Sequence, residues 1–214
     1  MRPTFSLLAI SDRAGLGALG IDPADWLRAL GGAGTGGIAA LQLREKDLDD
    51  RDLFTLARLA RTLLPPPIPL LVNGRLDIAL AAGADGVHLP ADGVPAPPLR
   101  ARFGAAAAGT LLIGRSTHSV AEVERARDEG ADYATFGPVY ATPGKGEPVG
   151  LAELARAAAT GLPVYALGGV TLDRFGELAA AGAAGIAAIR LFQSVDATNL
   201  MKVARAALES FGRA

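Results

Sequence analysis

Short apolar runs alternate with longer amphipathic segments along the whole chain. The runs "FSLLAIS" (5–11), "GIAALQLR" (37–44), "IPLLVN" (68–73), "DGVHL" (85–89), "TLLIGRS" (110–116), "DYATFG" (132–137), "PVYALGG" (163–169) and "AGIAAIRLF" (184–192) have strand length. They mostly lack polar alternation, which predicts parallel strands buried on both faces. The segments between and after them, 22–31, 47–64, 75–83, 97–108, 119–130, 151–161, 171–182 and 197–210, carry helical spacing of apolar positions. Local punctuation agrees. Asp22 and Pro23 open the first helix and Gly31 is its expected stop. Pro65, Pro66 and Pro67 stop the second, and Ser119 with Glu122 forms a capping box. The helix-to-strand turns repeat as "AAGADGVHL", "DEGADYATF" and "AAGAAGIAA", each with a glycine ending the helix.

Eight strand–helix pairs in 214 residues predict a (β/α)8 TIM barrel forming a single domain over 1–214. A doubly wound open sheet fits less well, because no GxGxxG turn follows the first strand and the pairs run to eight. "GGAGTGG" (31–37) reads as a flexible turn and "DGVPAPPLR" (92–100) as a loop.

Charge and composition narrow the function classes. Net charge is −1 with no basic stripe, so no nucleic-acid partner is expected. Cysteine is absent, which excludes disulfides and thiolate metal sites. No apolar stretch approaches ~18 residues, and the N-terminus lacks a cleavage pattern, so a soluble cytoplasmic protein without membrane association is expected. The composition favours Ala, Gly, Arg and Pro. Against them stand only three lysines (Lys46, Lys145, Lys202), two asparagines (Asn73, Asn199), two glutamines (Gln42, Gln193) and two histidines (His88, His118).

In a barrel of this kind the chemistry sits at the C-terminal ends of the strands. The second strand ends in Gln42, Arg44 and Lys46, spaced two apart and so expected on one side of the mouth. Two cations and an amide make an anion site. A solvated strand end, neutralised by Glu45 and Asp47, is the competing reading. Asn73 ends the third strand. His88, inside an apolar strand, reads as a packed histidine that supports a site from behind. Ser116 and His118 follow the fifth strand, where His118 is either an acid–base group or a cap of the next helix. The loop "FGPVYATPGKGEPVG" (136–150) offers Thr142, Lys145 and glycines for an anion, or is an ordinary surface loop. Gly168, Gly169 and Arg190, after the seventh and eighth strands, sit where this fold builds its phosphate cradle. A plain turn and a surface ion pair are their alternatives. Together the positions suggest a small phosphorylated substrate.

The pieces "AISDR", "QLREKDL", "VNGRLDIALAAGADGVHL", "IGRSTHS", "GADYATFGPVYATPGKGEPVGL" and "ALGGVT", in this order, resemble the thiamine phosphate synthase superfamily, which includes the TenI-like thiazole tautomerases. The resemblance implies that Gln42, Arg44 and Lys46 occupy the pyrimidine-diphosphate positions of the synthases. It also implies that Asn73 binds substrate, Ser116 contacts diphosphate, Thr142 and Lys145 belong to the anion loop, and Gly168 belongs to the phosphate cradle. His118 matches the acid–base histidine of the tautomerases. The departures fall on the metal. Synthases carry a magnesium-binding Asp where this chain has Gly74, and a second where Gly93 falls, beside Asp92. The Thr that usually precedes the loop lysine is Gly144. The expectation is therefore a metal-independent thiazole tautomerase with no cofactor, no metal ligand, and a phosphorylated thiazole as substrate. Two alternatives stand beside it. One is a thiamine phosphate synthase whose Mg2+ is held by Asp92 or Asp77. The other is a non-catalytic protein that binds thiazole or thiamine phosphate. A homodimer is a further expectation.

Overall fold

A computed structural model describes residues 3, 5–32, 39–103 and 111–212 of the 214. Its strands are β1 (Leu7–Ile10), β2 (Ala39–Leu43), β3 (Leu70–Asn73), β4 (Gly86–Leu89), β5 (Leu112–Thr117), β6 (Tyr133–Phe136), β7 (Val164–Leu167) and β8 (Gly185–Ala188). Each pairs in parallel with the next, and β8 returns to β1, closing a (β/α)8 barrel. The helices are α1 (Arg13–Ala18), α2 (Pro23–Gly32), α3 (Asp50–Leu63), α4 (Leu76–Ala82), α5 (Ala96–Phe103), α6 (Val120–Asp128), α7 (Gly150–Ala158), α8 (Phe175–Ala180) and α9 (Ala197–Phe211). Among the described residues no helix is long and apolar enough to cross a membrane.

The strands split their side chains between two apolar layers. Phe5, Leu8, Ala40, Leu71, Tyr133 and Tyr165 fill the barrel interior, with Tyr165 donating to the Phe5 carbonyl at 2.5 Å. Their neighbours Leu7, Leu41, Val72, Ala134 and Val164 face the helices. Two-sided burial is why the strands show no alternation of polarity.

The local signals hold where a side chain or a glycine decides them. Asp22 accepts from the amide of Ala24 at 2.8 Å, and Ser119 accepts from that of Glu122 at 3.3 Å. Gly83, Gly130 and Gly182 end their helices with φ of +72°, +79° and +86°. Three expectations are corrected and one element is added. Gly31 does not stop α2. It lies inside the helix, where a Cβ would come within 2.7 Å of the Leu63 carbonyl oxygen, so it marks a close helix crossing. The segment after β1 forms the short helix α1, capped by Asp12 and pinned by buried Leu16. The segment 171–182 opens as a 3-10 turn over Leu172–Arg174 before α8 begins. The eighth strand ends at Ala188. The run then turns as a 3-10 helix over Arg190–Phe192, because Phe192 folds into the core and its carbonyl takes the Trp26 indole N–H at 2.6 Å. The expected turn at 31–37 from residue 33 onward, the start of the second strand, and the end of the fourth predicted helix lie outside the described residues.

Candidate active site

Gln42, Arg44, Asn73 and Ser116 stand at or beside the C-terminal ends of β2, β3 and β5. Gln42 shares the inward parity of Ala40 and is buried, and its Nε2 has no hydrogen-bond partner among the described residues. Such an amide is costly unless something arrives to accept from it. Arg44 lies just past β2, half-buried, with its backbone N–H given to Ser11 Oγ at 2.8 Å. The strand ends at Leu43, so the expected row of three breaks: Lys46 sits in a bend and is exposed. Glu45 and Asp47 do not neutralise these cations. Both Glu45 oxygens accept from the Arg13 backbone N–H, at 3.2 and 3.1 Å, and Asp47 pairs with the Arg13 guanidinium. Burial nevertheless pushes the Glu45 carboxyl up. Among the described residues Arg44, Lys46, Lys145 and Arg190 form no ion pair.

Asn73 ends β3 in register with His88 of β4. His88 is buried, as its apolar strand implied. Its Nδ1 lies 3.0 Å from the Tyr133 hydroxyl and its Nε2 3.0 Å from Ser116 Oγ. Burial first, then the charges of Arg44 and Arg115, push its pKa down to about 3, so the ring is neutral.

His118 does not cap α6 with its side chain. Glu122 reaches back to its backbone N–H at 2.6 Å, while ring Nδ1 lies 2.6 Å from the Gly137 carbonyl oxygen. A carbonyl only accepts, so Nδ1 carries a proton, and the neutral form of the ring has its lone pair on Nε2. The next residue, Pro138, packs under Gly168, where a Cβ would lie 2.6 Å from Pro138 Cβ and 3.2 Å from Thr142 Oγ1. The 137–149 loop then runs along the end of β7, through Val139 N–H to Leu167 O at 2.8 Å and Tyr140 N–H to Gly168 O at 3.2 Å. His118, Thr142, Gly168 and Gly169 thus form one contiguous group. Gly169 and Val170 donate no backbone hydrogen bond among the described residues, which leaves N–H groups for an anion. Lys145 is exposed on the loop tip. Arg190 is exposed in the turn after β8, not on a strand.

Sequence reasoning missed the groups that brace this site. Tyr133 and Thr135 of β6 line the interior beside His88. Buried Arg115 holds the loop after β4 by the carbonyls of Pro90, Gly93 and Val94 and pairs with Glu129 at 2.9 Å. Tyr140 donates to Glu177 at 2.6 Å under the Arg174 guanidinium, 4.0 Å from its ring centre, and Arg174 also donates to Gly169 O at 2.6 Å. A tyrosine two residues before a threonine in an apolar strand was the one available signal.

The residues do not fit a magnesium clamp. Gly74 and Gly93 offer no carboxylate. Arg75 takes both oxygens of Asp77, at 3.0 and 2.7 Å, and holds that carboxyl below its usual range. Asp92 is exposed. No group of three or more His, Asp or Glu side chains able to hold a metal exists among the described residues.

Residues 18–192 match the family model described as thiamine monophosphate synthase. A putative thiamine-phosphate synthase of Geobacter sulfurreducens is 47% identical over 190 residues, 86% of this chain and 85% of that one. A thiamine-phosphate synthase of Herpetosiphon aurantiacus is 39% identical over 213 residues, 96% of each. The structure described as thiamine phosphate pyrophosphorylase from Pyrococcus furiosus superposes with a TM-score of 0.81 at 29% identity, over 99% of both chains. These names favour the synthase over the tautomerase expected from the sequence.

Proposed function

Because the chain belongs to the thiamine monophosphate synthase family and is an enzyme of thiamine biosynthesis, we propose that its mouth binds a thiazole carboxylate phosphate and isomerises it to the aromatic thiazole. The observation that carries this reading is the His118 ring. Gly137 fixes its tautomer, and the loop that follows packs Pro138 and Thr142 against Gly168. In this reading the free N–H groups near Gly169 take the phosphate, and Arg44 and Lys46 take the carboxylate; the Thr142 hydroxyl donates to the Tyr140 carbonyl at 2.9 Å and holds the loop. His118 Nε2 removes the proton from one ring-system carbon, and the imidazolium returns it to another. Atoms and charge balance with no oxidant and no leaving group.

The synthase is the second reading, and the relatives' names favour it. The unpaired Arg44 and Lys46, with Gln42 and Ser116, suit a diphosphate equally well. Against it stand the glycines at 74 and 93, which leave the magnesium implied by the resemblance without its carboxylates.

His118→Ala and His118→Gln test the proposal. Both are expected to lower kcat for aromatisation by at least about 100-fold while melting near wild type. Turnover close to wild type in either variant overturns the role of His118.

A further inference from the structure

The His88–Tyr133 bond crosses a strand. His88 is on β4 and Tyr133 on β6, and β5 lies between them with Gly114 at the crossing point. A Cβ on Gly114 would fall 2.2 Å from Tyr133 Cζ and 2.6 Å from His88 Nδ1. The missing side chain is what lets the two polar groups meet inside the barrel. On its other side the ring meets Ser116, the next inward residue of β5, at the edge of the mouth.

The proton positions follow from counting donors. Tyr133 is fully buried, and His88 Nδ1 is the one hydrogen-bond partner of its hydroxyl among the described residues. If Nδ1 carried the proton, the phenolic O–H would be a buried donor without an acceptor, at a cost of about 1–3 kcal/mol. Ser116 and Thr135, whose Oγ1 is 3.4 Å from Nε2, would then also compete for a single lone pair. The opposite tautomer avoids both problems. Tyr133 O–H donates to Nδ1, and Nε2–H donates to Ser116 Oγ. Ser116 has then received a hydrogen bond from below, and its own O–H has no acceptor among the described residues. Half-buried at the mouth, it is left free to donate outward.

We propose that Gly114, Tyr133 and His88 form a buried positioning relay that keeps the Ser116 O–H free to donate a hydrogen bond to an anionic group in the mouth. His88 and Tyr133 are positioning residues and touch no substrate. Burial and the nearby arginines keep the ring neutral, so the relay holds its polarity across the working pH range. The anion half rests on the reading of the mouth given above; the tautomer half does not.

The chain has two histidines, so selective 15N-histidine labelling yields four ring nitrogens, assigned with the His118→Gln variant. His88 is expected as the Nε2–H tautomer, unchanged from pH 8 to pH 5, and His118 as the Nδ1–H tautomer when neutral. Titration calorimetry with inorganic diphosphate then compares wild type, Ser116→Ala, Tyr133→Phe and the double variant. Each single variant is expected to weaken binding about 10-fold, and the double no further, because both remove the same donor. A purely structural Tyr133 would instead lower the melting temperature and leave diphosphate binding near wild type, which overturns the relay. His88 found as Nδ1–H overturns it whatever the binding shows. The expected tautomer with wild-type binding by Ser116→Ala overturns the role of Ser116. If wild type binds no diphosphate, the anion reading of the mouth falls, and the relay loses its function with it.

Discussion

Gly168 has φ of +97°, and an added methyl would press on Pro138. Gly168→Ala is expected to cost roughly 1–3 kcal/mol and to weaken phosphate binding more than the fold; chemical unfolding beside a phosphate titration checks both. Wild-type phosphate affinity would remove Gly168 from the cradle. His88 supplies a pH dependence with a defined sign. Its pKa is about 3 folded against 6.5 in the free side chain. Above pH 6.5 its share of stability is complete. Below that, the unfolded chain takes a proton the fold refuses, and stability falls by about 1.4 kcal/mol per pH unit until about pH 3. Between pH 7.5 and 5.0 the wild type should lose about 2 kcal/mol more than His88→Gln in urea unfolding. Parallel losses would contradict a buried neutral His88. The places of Gln42, Asn73 and Ser116 near strand ends were legible in the sequence, because these polar residues closed apolar runs. The fates of Glu45 and Asp47 were not, since both turn to Arg13, more than thirty positions away.

The repeated helix-to-strand turn does more than its glycine announces. In two copies the Asp after the turn accepts from the first amide region of the preceding strand. Asp85 takes the Leu70 N–H and Asp132 the Ile113 N–H, each at 2.7 Å. An arginine from a neighbouring helix holds each carboxylate, Arg61 on Asp85 at 2.7 Å and Arg100 on Asp132 at 2.6 Å. The third copy has Ala184 there and lacks the bridge. Asp132, the more buried of the two, is the better test. Asp132→Ala leaves the Ile113 amide and Arg100 without this partner and is expected to cost about 3 kcal/mol, read as a fall in the urea midpoint. A change below the scatter of repeat melts would mean the turn stands on its glycine alone. The glycines were readable because positive φ selects them. The carboxylate bridges were not, because strand order, and not local pattern, supplies their partner. The short helix α1 escaped for a related reason: Gly15 and Gly17 weaken its helical signal, while its stability comes from the Asp12 cap and the burial of Leu16.

At the scale of the whole molecule, eight apolar runs and their intervening helices were enough to specify the barrel, because each unit needs its neighbours to bury both strand faces. Barrel closure then places the ends of β2, β3, β5, β6 and β7 around one mouth and gathers the candidate residues spread between positions 42 and 169. The proposed reading rests on the cationic mouth, the tautomer-fixed histidine and the glycines at positions 74 and 93, whereas the relatives' names favour the synthase. The most direct measurement is a paired assay on the purified protein, with and without a metal chelator. One arm supplies the non-aromatic thiazole carboxylate phosphate and follows aromatisation by ultraviolet absorbance. The other supplies pyrimidine diphosphate, thiazole phosphate and magnesium, and follows thiamine phosphate. The account predicts aromatisation that survives the chelator and no thiamine phosphate. Thiamine phosphate formed only with magnesium, and no aromatisation, would contradict it and establish the reaction that its relatives' names describe.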